Sequence, residues 1–185
     1  MIIPLRNDGE RYGAVAQLLH WTVVALVIVQ FVLGVTAHGL PISLERLQLL
    51  ARHKSFGMTL FAIVILRLLW RLYSPAPPLP GGMSRLQTLA AHLSHILLYG
   101  LLLVMPVVGW ISSSASHLTV SWFGLFAFPD LVGPDPQLAR IAKQVHMDMA
   151  WMLFALACLH VLAACWHQWW RQDDALLRML PFRRS

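Results

Sequence analysis

Charge is scarce in this chain. Only 12% of its 185 residues are Asp, Glu, Lys or Arg, about half of the roughly 25% usual in a soluble domain. Too little polar surface is available to wrap a water-soluble core, which excludes an ordinary soluble globule. The basic residues outnumber the acidic ones, fourteen to eight, but they stand at the ends of apolar runs and not in one block, so the excess carries no nucleic-acid signal. Cysteine is nearly absent: Cys158 and Cys165 lie seven apart in one apolar run, about 10 Å along a helix, too far to bridge to each other. No internal repeat is visible, and no low-complexity tract beyond one proline-rich loop.

What fills the chain instead is apolar. Hydrophobic residues make up 58% of it and its mean hydropathy is +0.64, the composition of an integral membrane protein. Four runs reach the length needed to cross a bilayer, at about 17–36, 53–72, 92–111 and 145–168. They predict one all-α domain over residues 1–185, a four-helix bundle in lipid. The first run, with Val35-Thr36-Ala37 after it, has the outline of a signal peptide. It exceeds the roughly 7 to 15 apolar residues of a signal core and has three further spans to pack against, so it is expected to stay.

Cations set the orientation. With the N-terminus inside, Arg6, Arg11, Arg67, Arg71, Arg85, Arg171, Arg178, Arg183 and Arg184 lie on the inner side, and Arg46, Arg52, Lys54, Arg140 and Lys143 on the outer. Nine against five predicts that both termini are cytoplasmic.

Taken in order, the first seventeen residues are polar and need no fold of their own. His20 and Trp21 open the first span. The second carries His53 between Arg52 and Lys54 and closes with Arg67, Trp70 and Arg71. Residues 74–82, SPAPPLPGG, read as an extended inner loop. The third span holds His92, His95 and Tyr99, with Pro106 expected to kink it. Residues 122–129, WFGLFAFP, are too short and too aromatic for a span and read as an interfacial segment over the outer mouth of the bundle. The last span carries His146 and His160, and a polar, basic tail follows from Arg171.

His146 and His160 are fourteen residues apart. On a helix this spacing returns the side chain to within about 40° of the same face and separates the rings by about 21 Å, so one face offers an imidazole near each side of the membrane. Ligating groups inside a span are costly and are functional by default. A bis-histidine b-type haem takes one ligand from each of two facing helices at one depth. Depth pairs His53 with His146 outside; inside it allows His20 with His160, and His95 with His160 equally. His38 and His117 fall in connections and read as solvated. No CxxCH is present, so a haem here is held by coordination and packing, not by thioether bonds.

LLHW at 18–21, ARHKSFG at 51–57 with RLLWRL at 67–72, HLSHILLYGLLLVMPVVGW at 92–110, His146 with His160, and DDALLRMLP at 173–181 together resemble the bacterial cytochrome b561 family. The likeness covers all four spans and most of the tail. It implies a bundle enclosing two haem b groups, with His20 and His160 on the inner iron and His53 and His146 on the outer one. It is strongest to the small stand-alone members that act as superoxide oxidase in the bacterial inner membrane, passing electrons to ubiquinone in the quinone pool. Arg52, Lys54, Arg140 and Lys143, with Arg46, then form an outer collar suited to steering a small anion, and equally suited to pairing with haem propionates or lipid phosphates. A quinone and proton site is expected inside near His167, His95, Arg67 and Arg71, because imidazole titrates near neutral pH and Arg67, fourteen residues after His53, falls at the inner haem's depth. A second reading is a membrane cytochrome b subunit serving a hydrogenase or another periplasmic dehydrogenase as donor; no docking extension is visible to favour it. A third, a haem-free protein using its histidines for a metal or for protons, leaves the two-depth pattern unexplained.

Overall fold

In a computed structural model, which describes residues 4–180, the chain forms four long helices: α1 Ala14–Gly39, α2 Leu44–Tyr73, α3 Arg85–Ala115 and α4 Pro136–Trp166. Helix makes up 71% of the described residues, and the only strands among them are the two-residue pair β1 Ser121–Trp122 and β2 Phe126–Ala127. The fold is all-α, and each of the four helices is long and apolar enough to cross a membrane. Arg183 and Arg184 of the charge count, and Pro181 of the tail motif, lie outside the described residues.

The helices outrun the apolar stretches, most of all at their N-termini. α2 starts at Leu44 because the Ser43 side chain accepts from the Arg46 amide. Ser84 and Gln87 close a reciprocal capping box at the start of α3. Asp135 accepts from the amides of Gln137 and Leu138, with Pro136 in the first turn of α4. Each cap satisfies orphan amides that lipid would leave unpaired. α3 continues past Pro106 to Ala115; the ring deprives the Leu102 carbonyl of its donor one turn back.

The bundle is two antiparallel pairs, α1 on α2 and α3 on α4, with a smaller α2–α3 contact. Phe31 of α1 stacks on Phe154 of α4 at 4.6 Å and meets Trp151 edge-on at 5.3 Å. At mid-depth all four helices contribute to one buried apolar cluster, Val23, Leu60, Val64, Leu102, Met105 and Leu153. Most of the remaining leucines, isoleucines and valines point outward, as expected when the solvent is hydrocarbon.

One end of the bundle gathers both termini and the α2–α3 connection, and is called the terminal end here. The N-terminal segment has a fixed course, contrary to the sequence expectation. Asn7 donates through Nδ2 to the Ser74 carbonyl at 2.8 Å and its Oδ1 accepts from the Gly13 amide, and a Cβ on Gly13 would overlap the Arg6 backbone. Residues 75–80 form neither helix nor strand, as the prolines dictate. Beyond α4 the chain makes a π turn, His167–Arg171, bends at Gln172 with φ 53°, and forms a 3-10 turn, Leu177–Met179. Trp21 Nε1 donates to the Met179 carbonyl at 2.9 Å, Arg178 to Pro78 at 2.8 Å and Arg171 to Gly82 at 2.8 Å.

At the opposite end, the aromatic segment folds as a β-hairpin laid on α2. Phe123 and Gly124 both have positive φ, the primed turn that suits a tight hairpin. Ser55 Oγ bonds the Ser121 carbonyl and accepts the Phe123 amide, Trp122 Nε1 donates to Thr59 Oγ1, and Phe56 meets Phe123 edge-on.

Candidate functional site

Two groups of histidines face the bundle interior, one on each side of the apolar cluster. At the opposite end His53 of α2 and His146 of α4 meet with ring centroids 6.0 Å apart and planes at 80°. Each ring is tied to a further helix. His53 Nδ1 lies 3.2 Å from the Gln30 carbonyl of α1, and His146 Nδ1 lies 3.0 Å from the Met105 carbonyl of α3. A carbonyl only accepts, so Nδ1 carries the proton in both rings and Nε2 keeps its lone pair. Gln30 also donates through Nε2 to the His53 carbonyl at 2.9 Å, a bond that a Cβ on Gly57 would obstruct.

At the terminal end His95 of α3 meets His160 of α4 at 5.2 Å and 78°, while His20 of α1 lies edge-on to Trp21 at 5.2 Å. His20, His95 and His160 are within electrostatic reach of one another and of Arg67. His95 turns Nδ1 to the Ala91 carbonyl of its own helix at 2.7 Å, as His92 does to Thr88 at 2.8 Å. Arg67 is fixed: Nε donates to Tyr99 Oη at 2.9 Å and Nη1 to the Ala16 carbonyl at 3.0 Å, so one guanidinium ties α1, α2 and α3 together at the level of these rings. Arg71 lines a cavity of about 20 Å³ with Arg67, Trp70, Tyr99, Asn7 and Tyr12, room for about one water, and the buried Trp70 Nε1 has no protein partner.

His167 sits beyond these rings on the π turn. Its Nδ1 is 2.6 Å from Asp173 Oδ2, both side chains largely buried. Asp173 is a site candidate that reading the chain did not single out. The signal was present in the motif at 173–181, but the pairing depends on the π turn and on the bend at Gln172, which bring residues six apart together.

The outer collar is split. Arg52, Arg140 and Lys143 are exposed. Lys54 points its amine toward the Thr119 carbonyl at 3.4 Å, and Arg46 donates to Leu40 at 3.1 Å.

Comparison with known proteins finds similarity over nearly the whole length of the chain. The chain is 34% identical to Cytochrome b561 homolog 2 of Escherichia coli (strain K12), over 94% of this chain and 93% of that one. It is 27% identical to the Probable superoxide oxidase CybB of Yersinia pestis, over 95% and 99%, and 25% identical to Cytochrome b561 homolog 1 of Escherichia coli (strain K12), over the same shares. The family described as prokaryotic cytochrome b561 matches residues 11–182. Four membrane-length helices with inward histidines at two levels, matched from before α1 into the tail, place this chain in the prokaryotic cytochrome b561 family of multi-pass membrane electron-transfer proteins.

Proposed function

We propose that the protein is a di-haem b-type cytochrome that oxidises superoxide at the opposite end and reduces ubiquinone at the terminal end. The observation that carries this reading is the arrangement of His53 and His146. The family implies b-type haem, and the donor set fits one. Two neutral imidazoles present Nε2, each with Nδ1 fixed by a carbonyl, the outer partner that ligating histidines need. The two rings meet with centroids 6.0 Å apart, and would hold a haem between them from two different helices. At the terminal end we assign His20 and His160 to the second haem, as the resemblance of the sequence implies. His95, close to His160, is left to proton or quinone chemistry.

When bound, the two haems supply one-electron oxidation and reduction at two depths. The chain's residues do the rest. His53 and His146 hold one group, His20 and His160 the other, and the apolar cluster between them excludes water. Arg52, Arg140 and Lys143 attract the superoxide anion, with Lys54 at the hairpin's edge, and raise its encounter rate. At the terminal end His95, with Nδ1 on the Ala91 carbonyl, keeps Nε2 for proton exchange, and Arg67 and Arg71 offer donors to a quinone oxygen. His167, held by Asp173, passes a proton toward it. Two superoxide anions give up one electron each to become dioxygen, and one ubiquinone takes both electrons and two protons to become ubiquinol.

This reading sets the terminal end at the cytoplasmic side of the bacterial inner membrane and the opposite end in the periplasm. Of the described cations, seven lie at the terminal end and five at the other. The likeness to a probable superoxide oxidase supports the donor. The test is a reduced-minus-oxidised spectrum of the detergent-purified protein, with haem counted per chain and superoxide as reductant, with and without a soluble ubiquinone. Two haems reduced by superoxide and reoxidised by quinone bear the proposal out. Two haems indifferent to superoxide overturn it in favour of a subunit fed by a periplasmic dehydrogenase.

A further inference from the structure

Each ring at the opposite end rests in a similar recess on a different helix. His53 lies against α1 where the Gln30 carbonyl takes Nδ1 and Gly34, one turn later, faces the ring; a Cβ on Gly34 would stand 3.3 Å from Cε1 and 3.5 Å from Nδ1. His146 lies against α3 where the Met105 carbonyl takes Nδ1 and Gly109, again one turn later, faces the ring; a Cβ there would stand 2.9 Å from Cε1 and 3.0 Å from Nδ1. The repeat is a carbonyl at position n and a bare α-carbon at n+4. Position n+4 covers the same strip of helix as position n, so a methyl group there presses on the carbon next to the bonded nitrogen. At the terminal end His95 uses a carbonyl of its own helix, and no glycine has a histidine ring at the place of its Cβ.

We propose that Gly34 and Gly109 are positioning residues that set the ring planes of His53 and His146, and with them the electronic properties of the haem those two histidines hold. The inference rests on the di-haem reading and deepens it. Ring orientation and the strength of the Nδ1 bond govern how basic each Nε2 is and how it meets the metal. A glycine-to-alanine change is small, keeps the helix, and acts on the ring alone. Because the 2.9 Å clearance at Gly109 is the tighter, its effect is the larger. Gly100, on α3 with nothing within 4 Å of its Cβ position, is the matched control for helix propensity.

The experiment compares Gly109→Ala, Gly34→Ala and Gly100→Ala as full chains purified with their haem. For each, haem per chain is counted, both midpoint potentials are titrated and the low-spin electron paramagnetic resonance signals recorded. The haem signal lost in His146→Ala marks the opposite-end group. The expected result is a shift of that haem's potential and resonance in Gly109→Ala, a smaller shift of the same haem in Gly34→Ala, and none in Gly100→Ala. If Gly109→Ala does not assemble, the softer Gly34→Ala carries the test. Gly34→Ala indistinguishable from Gly100→Ala, or a shift confined to the other haem, overturns the proposal. Retention of both haems in His53→Ala and in His146→Ala would instead overturn the underlying ligand assignment, whatever the glycine variants do.

Discussion

At the scale of single residues, an imidazole inside a membrane helix has few neutral fates. A ring that bonds a carbonyl through Nδ1 and leaves Nε2 bare is half-satisfied, and the bare nitrogen asks for a metal or a donor. His53 and His146 are both in that state. In a di-haem bundle held this way His53→Ala and His146→Ala are expected to lose the same haem, His20→Ala and His160→Ala to lose the other, and His95→Ala to keep two haems per chain; difference spectra with haem counts check all five. A second expectation concerns His167. Asp173→Asn removes the charge that orients its ring, so ubiquinone reduction in stopped flow slows severalfold, while superoxide still reduces the haems at the unaltered rate. The opposite-end pair was legible in the sequence because two histidines, each beside a lipid-crossing run, can share a depth in only one way. The terminal end was less so: three histidines share its level, and depth alone does not choose among them.

The elements divide by how local their causes are. Four helices could be read from hydropathy because lipid permits almost no other backbone. Their true starts lie in polar caps that a hydropathy window discards. Asp135 is one of these, and Asp135→Ala is expected to cost about 1 kcal/mol, read as a lower midpoint of thermal unfolding in detergent. The hairpin was seen only as an aromatic segment, since strands of two residues carry no alternation to detect. What holds it is Ser55, buried on α2 two residues from His53. Ser55→Ala strips the Phe123 amide of its acceptor, at about 1–3 kcal/mol for an unsatisfied group. Faster proteolysis within residues 121–127 is the expected readout.

For the whole molecule the consequence of charge placement is kinetic. If Arg52, Arg140 and Lys143 gather superoxide, its rate of haem reduction falls as salt screens them. The variant Arg52→Gln/Arg140→Gln/Lys143→Gln is then slower by roughly tenfold at low ionic strength and nearly indifferent to salt. A wild-type rate with the same salt slope in that variant would show that the collar serves lipid or propionates instead.

The knot of bonds at the terminal end bears on biogenesis. Trp21 of the first helix reaches the carbonyl of Met179, and Arg178 reaches Pro78 in the loop between the second and third, so one short stretch near the end of the chain touches what was made first and what was made midway. Those contacts exist only if the number of crossings is even. A chain whose last helix failed to insert would strand residues 172–180 across the bilayer from Trp21 and Pro78. Insertion of α4 and closure of the terminal end are in that sense a single event.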